Sequence, residues 1–274
     1  LKGPSFEEVK NYLEKYNDEY IVIKCGGSLL VDKDLFDNFI NDISILNRLG
    51  FIPIIIHGGG KRISAKLNDA GIKSNFINGL RVTDKKSIDI VENVLNNFNE
   101  EITMSLKNNN CNSQGITNKH NNILIVEEEN KELGFVGTPK EINKTIIEKI
   151  VKEKKVPVIA PLGLDKNNQV FNINADTAAG AIAKKLNARR LIIMSDVEGV
   201  LDNNKKLITE INTVKINELI KNETISGGMI PKIKNCLDVA SNGVKGVCII
   251  DGRLDHSILF ELLSNAGSGT LIRE

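Results

Sequence analysis

The chain has 274 residues, 41% of them hydrophobic and 26% charged, enough for the core of one large α/β domain or two lobes. A formal net charge of +1 and an aromatic content of 4% argue against a nucleic-acid surface, which needs a basic footprint or stacking platforms. Cys25, Cys111, Cys236 and Cys248 form no CxxC pair, no apolar run approaches a membrane span, and the first residues lack the layout of a signal peptide, so the sequence predicts a soluble cytoplasmic protein without zinc or disulfides.

Pro4-Ser5-Phe6-Glu7-Glu8 reads as a capping box, with Ser5 at the N-cap and Glu8 at N3. Phe6, Val9, Leu13 and Tyr16 recur at helical spacing, which predicts an amphipathic helix over 5–16 with no obvious internal partner. Tyr20-Ile-Val-Ile-Lys-Cys-Gly-Gly-Ser28 is the stretch that organises the rest. Its Val and Ile suit a buried parallel strand, and Lys24 sits at the carboxyl end of that strand. Gly26 and Gly27 then bare the backbone N–H groups beside an ammonium, a combination that favours phosphate.

Leu35 to Leu46 mark a helix that ends at Gly50 and returns to a second strand, Phe51-Ile-Pro-Ile-Ile-Ile-His-Gly-Gly-Gly60. This is a strand–helix–strand crossover. The three glycines before a helix starting near Lys61 make a second anion loop, on the same carboxyl edge of the sheet as the first. Ser74 to Asp84, with a central Asn-Gly, reads as a hairpin that carries Arg81. A guanidinium beside anion loops can clamp a carboxylate bidentately, although a lone arginine is more often a solvated surface residue.

Residues 85–107 are helical in pattern, and the Asn-rich stretch after them reads as loops. Short strands between about 111 and 138, including Ile123–Val126 and Leu133–Thr138, predict further hairpin structure over the sheet edge. A helix over 141–153 leads to a third strand, Val156–Ala160. Asn172-Ile-Asn-Ala-Asp-Thr177 stands at the mouth of another helix, where Asn174 and Asp176 either cap the helix or reach over the crevice. Leu191 to Asp202 is a buried strand turning at Ser195-Asp196. Ser226-Gly-Gly-Met-Ile-Pro-Lys232 opens a helix over 231–241, bringing glycines and Lys232 together. A strand over 246–251, a helix over 257–264 and a strand-like end over 267–272 complete the chain. No long linker divides it, which predicts one domain of two lobes.

Ile-Lys-Cys-Gly-Gly at 23–27, His-Gly-Gly-Gly at 57–60, Asn-Gly-Leu-Arg-Val-Thr-Asp at 78–84, Asn-Ile-Asn-Ala-Asp at 172–176 and Gly-Gly-Met-Ile-Pro-Lys at 227–232 together resemble the acetylglutamate kinases of the amino acid kinase family. The resemblance runs from about residue 10 to the end. It implies an α/β fold, a three-layer αβα sandwich around a mostly parallel open sheet. The implied lobes are a substrate lobe over about 19–187 and a nucleotide lobe over about 188–274, behind an interaction helix at 1–18. It implies transfer of the ATP γ-phosphoryl group to the side-chain carboxylate of N-acetyl-L-glutamate in arginine biosynthesis, with Mg²⁺ accompanying the nucleotide. Phosphoryl transfer needs positioning and charge stabilisation, which two lysines largely provide.

By resemblance, Lys24 and Lys232 stabilise the transferring group and Asp176 holds the two lysines. Gly59 and Gly60 touch the attacking carboxylate, and Arg81 and Asn172 hold the rest of the acceptor. Gly26, Gly27, Asp196, Gly199, Leu201, Thr224 and Ser226 border the nucleotide. The leading helix resembles that of arginine-inhibited members, which implies a hexamer built as a trimer of dimers, with arginine bound near Tyr12, Glu261 and Gly267. Cys25 and Lys61-Arg62 depart from the usual pattern. Rival readings are a kinase for glutamate, aspartate, carbamate or a nucleoside monophosphate, and a non-catalytic arginine and nucleotide sensor. A dinucleotide oxidoreductase is weaker, because no G-x-G-x-x-G follows any strand.

Overall fold

The computed structural model describes residues 3–225 and 229–274. In chain order, Phe6–Lys15 (α1) leads to Tyr20–Cys25 (β1), Lys33–Arg48 (α2), Ile52–His57 (β2) and Gly60–Asp69 (α3). Phe76–Ile77 (β3) and Leu80–Arg81 (β4) pair as a hairpin before the long helix Ile88–Asn108 (α4). Next come Ser113–Ile116 (β5), Leu124–Glu128 (β6), Gly137–Ile142 (β7), Lys144–Lys152 (α5), Val156–Ile159 (β8), Leu162–Leu164 (β9) and Val170–Asn172 (β10). The remainder is Ala175–Leu186 (α6), Arg190–Ser195 (β11), Glu210–Ile211 (β12), Thr213–Lys221 (α7), Met229–Ser241 (α8), Val247–Asp251 (β13), Ser257–Leu263 (α9) and Gly269–Ile272 (β14).

Eight strands form one sheet in the order β12-β14-β13-β11-β1-β2-β8-β5, parallel throughout except where β14 meets β13. The first half of the chain builds outward from β1 on one side through β2, and the second half returns to its other side through β11. A topological switch point therefore lies beside β1, where the diverging loops leave a crevice.

The period-two geometry of a strand splits β1 between two cores. Val22 packs with Ile182 and Ala183 of α6 and Ile233 and Val239 of α8. Ile21, Ile23 and Cys25 pack with Phe39 and Ile43 of α2 and Phe98 and Ile102 of α4. The sheet is thus the middle layer of an αβα sandwich, as expected. Lys24 shares the Val22 face, which aims it at α6. A four-stranded sheet, β10-β9-β6-β7, covers one edge of the crevice.

The capping box forms, with the Ser5 N–H donating to Glu8 Oε2 at 2.8 Å and the Glu8 N–H donating to Ser5 Oγ at 3.2 Å. The hairpin turns at Asn78 and Gly79, both with positive φ (52° and 82°), the requirement that makes Asn-Gly a hairpin signal.

Three expectations are corrected. Helix α1 does have an internal partner: Tyr16 is 2% exposed against Phe51, Val9 and Leu13 pack on the same core, and only Phe6 stands out at 87%. Ser113–Ile116 joins the main sheet as its edge strand instead of a hairpin over it. The strand expected over Leu133–Thr138 begins at Gly137, after a 3₁₀ turn at Lys131–Leu133. Among the described residues, no helix is long and apolar enough to cross a membrane.

Candidate active site

Three loops meet at the switch point: Gly26 to Ser28 after β1, Gly58 to Gly60 after β2, and Ser195-Asp196 after β11. The Gly58 N–H donates to the Cys25 carbonyl at 2.8 Å, tying the first two together. Gly27 adopts φ +69°, and a Cβ there would collide with the Asp196 carboxylate. A Cβ on Gly26 would lie 2.6 Å from Lys24 Nζ. At both positions glycine is what admits a charged group to the backbone.

Asp176 sits in the first turn of α6. Asn174 takes the N-cap, its side chain accepting from the N–H groups of Asp176 and Thr177 at 3.0 and 3.1 Å, which leaves Asp176 to face the crevice. Lys24 Nζ lies 2.9 Å from Asp176 Oδ1, and Lys232 of α8 donates to Oδ2 at 2.7 Å. Burial alone would raise the Asp176 pKa, but the two ammonium groups outweigh it and hold the carboxyl well below its ordinary value. The three residues expected to act together therefore do meet, from three elements. Asn235, one helical turn beyond Lys232, donates to the Asp176 carbonyl at 3.2 Å. That contact was missed, although its spacing on the predicted helix was visible.

On the β2 side, a cavity of about 250 Å³ is lined by Lys24, Gly59, Gly60, Arg81 and Asn172, with Gly26 and Gly27 at its edge. Arg81 is 8% exposed. Its Nη1 donates to Ser74 Oγ at 2.6 Å, its Nη2 to Ser64 Oγ at 2.8 Å and the Gly60 carbonyl at 2.9 Å, and its guanidinium lies 4.7 Å over the Phe76 ring. Desolvation lowers its pKa. Ser64 and Ser74 carried no signal as isolated serines. Asn172 donates to Thr83 Oγ1 at 3.3 Å.

Toward β11, Asp196 accepts from the Ser28 N–H at 2.7 Å and pairs with Lys61 at 3.3 Å. Burial opposes its charge, and the Ser28 N–H and Lys61 outweigh that, lowering its pKa. Leu201 bridges to Leu207, and Thr224 Oγ1 lies 2.8 Å from Asn203 Oδ1, so these two expected residues border one loop. Gly199 is buried at φ +141°, where a Cβ would lie 2.8 Å from Leu207 Cδ1. It shapes the loop through its backbone. Ser226 lies outside the described residues.

Neither departure from the family pattern puts a reactive thiol or a stray guanidinium in the crevice. Cys25 points into the α2–α4 core, where burial pushes its thiol up to about 12. Arg62 donates to the Leu30 carbonyl at 2.7 Å, stacks on Phe98 and pairs with Glu101. At the far side of the sheet, Tyr12, Glu261 and Gly267 line a second cavity of about 380 Å³, together with Lys15, Arg190 and Arg273.

The fold and these loops define an open α/β protein with a crevice, lined by glycine loops and lysines, at the switch point of its sheet. Residues 19–251 match the model of the amino acid kinase family. An acetylglutamate kinase of Pelagibacter ubique is 69% identical over 272 residues, covering 99% of this chain and 94% of that one. One from Campylobacter fetus is 43% identical over 264 residues, covering 96% and 94%. The solved structure of an N-acetylglutamate synthase from Neisseria gonorrhoeae, complexed with coenzyme A and N-acetyl-glutamate, shares the fold with a TM-score of 0.88 at 20% identity; the match covers 98% of this chain and 62% of that one. The chain belongs to the amino acid kinase family.

Proposed function

We propose that the protein transfers the γ-phosphoryl group of ATP to the side-chain carboxylate of N-acetyl-L-glutamate, giving the 5-phosphate in arginine biosynthesis. The observation that carries this reading is the Lys24–Asp176–Lys232 cluster at the rim of a cavity that also holds Arg81 and Asn172. The acceptor is a carboxylate, ionised at neutral pH with an ordinary pKa of about 4, so no general base is required. His57, buried with its pKa lowered to about 4, is not needed as one.

Lys24 from β1 and Lys232 from α8 neutralise charge on the phosphoryl oxygens, and Asp176 fixes both ammonium groups before substrate arrives. The bare backbone at Gly59 and Gly60 lets the attacking carboxylate approach. Arg81, braced by Ser64 and Ser74, takes the α-carboxylate, and Asn172 the acetamido end. Gly26, Gly27, Asp196, Gly199, Leu201, Thr224 and Ser226 border the nucleotide. Mg²⁺, when bound with the nucleotide, would neutralise part of the phosphate charge. Asp176 is taken up by two lysines and Asp196 by Lys61 and the Ser28 N–H, so the ion would be held chiefly by the phosphates themselves.

Arginine is the proposed inhibitor, with its guanidinium on Glu261 and its carboxylate toward Arg190 and Lys15, in a cytoplasmic homo-oligomer of hexameric form that joins through the Phe6 end of α1. The decisive assay follows ADP release with N-acetyl-L-glutamate, glutamate, aspartate or carbamate as acceptor. Turnover with N-acetyl-L-glutamate alone is the expected result. Turnover that favours another acceptor, or none, would overturn the reading.

A further inference from the structure

Lys61 and Arg62 follow the glycines of the second anion loop, and the fold sends them in opposite directions. Arg62 is held in packing by Phe98, Glu101 and the Leu30 carbonyl. Lys61 turns to the crevice, its Nζ 2.7 Å from Ser28 Oγ and 3.3 Å from Asp196 Oδ2, with 48% of its side chain exposed.

Three consecutive residues after β1 therefore meet three charged groups. Gly26 adjoins the Lys24 ammonium, Gly27 closes on the Asp196 carboxylate, and Ser28 takes Lys61. Two peptide units separate Gly26 from Ser28, a span of about 7 Å at most. The Lys24 and Lys61 ammonium groups thus flank one short turn, with the Asp196 carboxylate, which accepts from the Ser28 N–H, between them. A row of phosphates along that turn meets Lys24 at one end and Lys61 at the other. Lys24 and Lys232 share the single carboxylate of Asp176, a net charge of one, which leaves most of a triphosphate unbalanced. An exposed ion pair such as Lys61–Asp196 is weak, so a multivalent oxyanion competes well for its ammonium.

We propose that Lys61 is a third phosphate ligand of the nucleotide site, binding the phosphates that are not transferred, with Ser28 and Asp196 holding its ammonium in position. The proposal rests on the kinase reading above.

Titration calorimetry with a non-hydrolysable ATP analogue, ADP and adenosine tests it on the intact chain. Lys61→Gln should bind the analogue and ADP about tenfold more weakly, as losing one charge-assisted hydrogen bond does, and adenosine equally well. Lys61→Arg should recover most of the loss, and added salt should narrow the gap between wild type and Lys61→Gln. Ser28→Ala keeps the ammonium and should weaken the analogue by no more than about threefold.

An equal loss for all three ligands would make Lys61 a structural tie and overturn the proposal, as would unchanged affinity for the analogue or a Ser28→Ala loss as large as that of Lys61→Gln. A wild-type chain that binds neither the analogue nor ADP would instead defeat the kinase reading itself.

Discussion

Lys232 on α8 donates a 2.7 Å hydrogen bond to Asp176 on α6, across 56 residues of chain. Lys24 reaches the other oxygen of the same carboxylate from β1. Both ammonium groups are thereby oriented toward the crevice by one half-buried acid.

Lys24→Ala and Lys232→Ala should each slow phosphoryl transfer by about 10²–10³, the usual cost of losing one preorganised charge on a transition state. Single-turnover rates at saturating substrates measure this. Near-normal rates in either variant would remove that lysine from the mechanism. Asp176→Asn should also slow transfer and lower the unfolding temperature, because two half-buried cations lose their shared partner.

Arg81→Lys should weaken acceptor binding by about 1–3 kcal/mol while the KM for ATP stays within about twofold. Lysine keeps the charge but cannot bridge Ser74, Ser64 and the Gly60 carbonyl together, as the guanidinium does. The β3–β4 hairpin then loses its tie to α3. A parallel rise in both Michaelis constants would contradict the assignment.

His57 predicts an acid-side loss of stability. Its Nδ1–H donates to the Gly58 carbonyl at 3.0 Å and its Nε2 accepts from Asn99 at 3.2 Å, so the ring is neutral, and burial lowers its pKa to about 4. The unfolded imidazole protonates near about 6.5. Below that the unfolded chain binds a proton that the folded chain refuses, and up to about 3 kcal/mol is lost as pH falls toward 4. Urea midpoints between about pH 7 and 4.5 should fall less steeply in His57→Gln. His256, its pKa raised by the hydrogen bond to Asp42, has the opposite sign. Its contribution is present below its unfolded pKa and is lost as pH rises through the folded one.

Phe6→Asp should reduce a hexamer to dimers by light scattering and leave the thermal midpoint within about 2 °C, as an exposed surface change does. Deleting residues 1–17 is a poorer test, because it removes the buried Tyr16 as well as the exposed Phe6. Glu261→Gln should raise the arginine needed for half-inhibition at least about tenfold. A parent chain that is dimeric and insensitive to arginine would discard this part of the reading.

Local chemistry was legible in the residue order wherever near neighbours decide it. The Ser5–Glu8 box, the Asn78-Gly79 turn, the β1 and β2 runs with their glycines, and the Asn174 cap are each complete within a few residues. The polar Ser113–Ile116 strand, the helix at Thr213–Lys221 and the β9–β10 pair escaped, because short or mixed segments take their conformation from the sheet or core that receives them. Lys24, Asp176 and Lys232 could be named from the sequence, but nothing local says that one carboxylate serves both lysines. That follows from the alternation of β1, which aims Lys24 at α6, and from the packing of α8 on α6. The same holds for the consecutive residues Lys61 and Arg62. A helix turns successive side chains by about 100°, so one faces Asp196 and the other Phe98. The sequence by itself determined which charges the protein carries near its glycine loops. Only the tertiary structure decided which of them share a crevice, because their partners come from strands and helices that become neighbours once the sheet has formed.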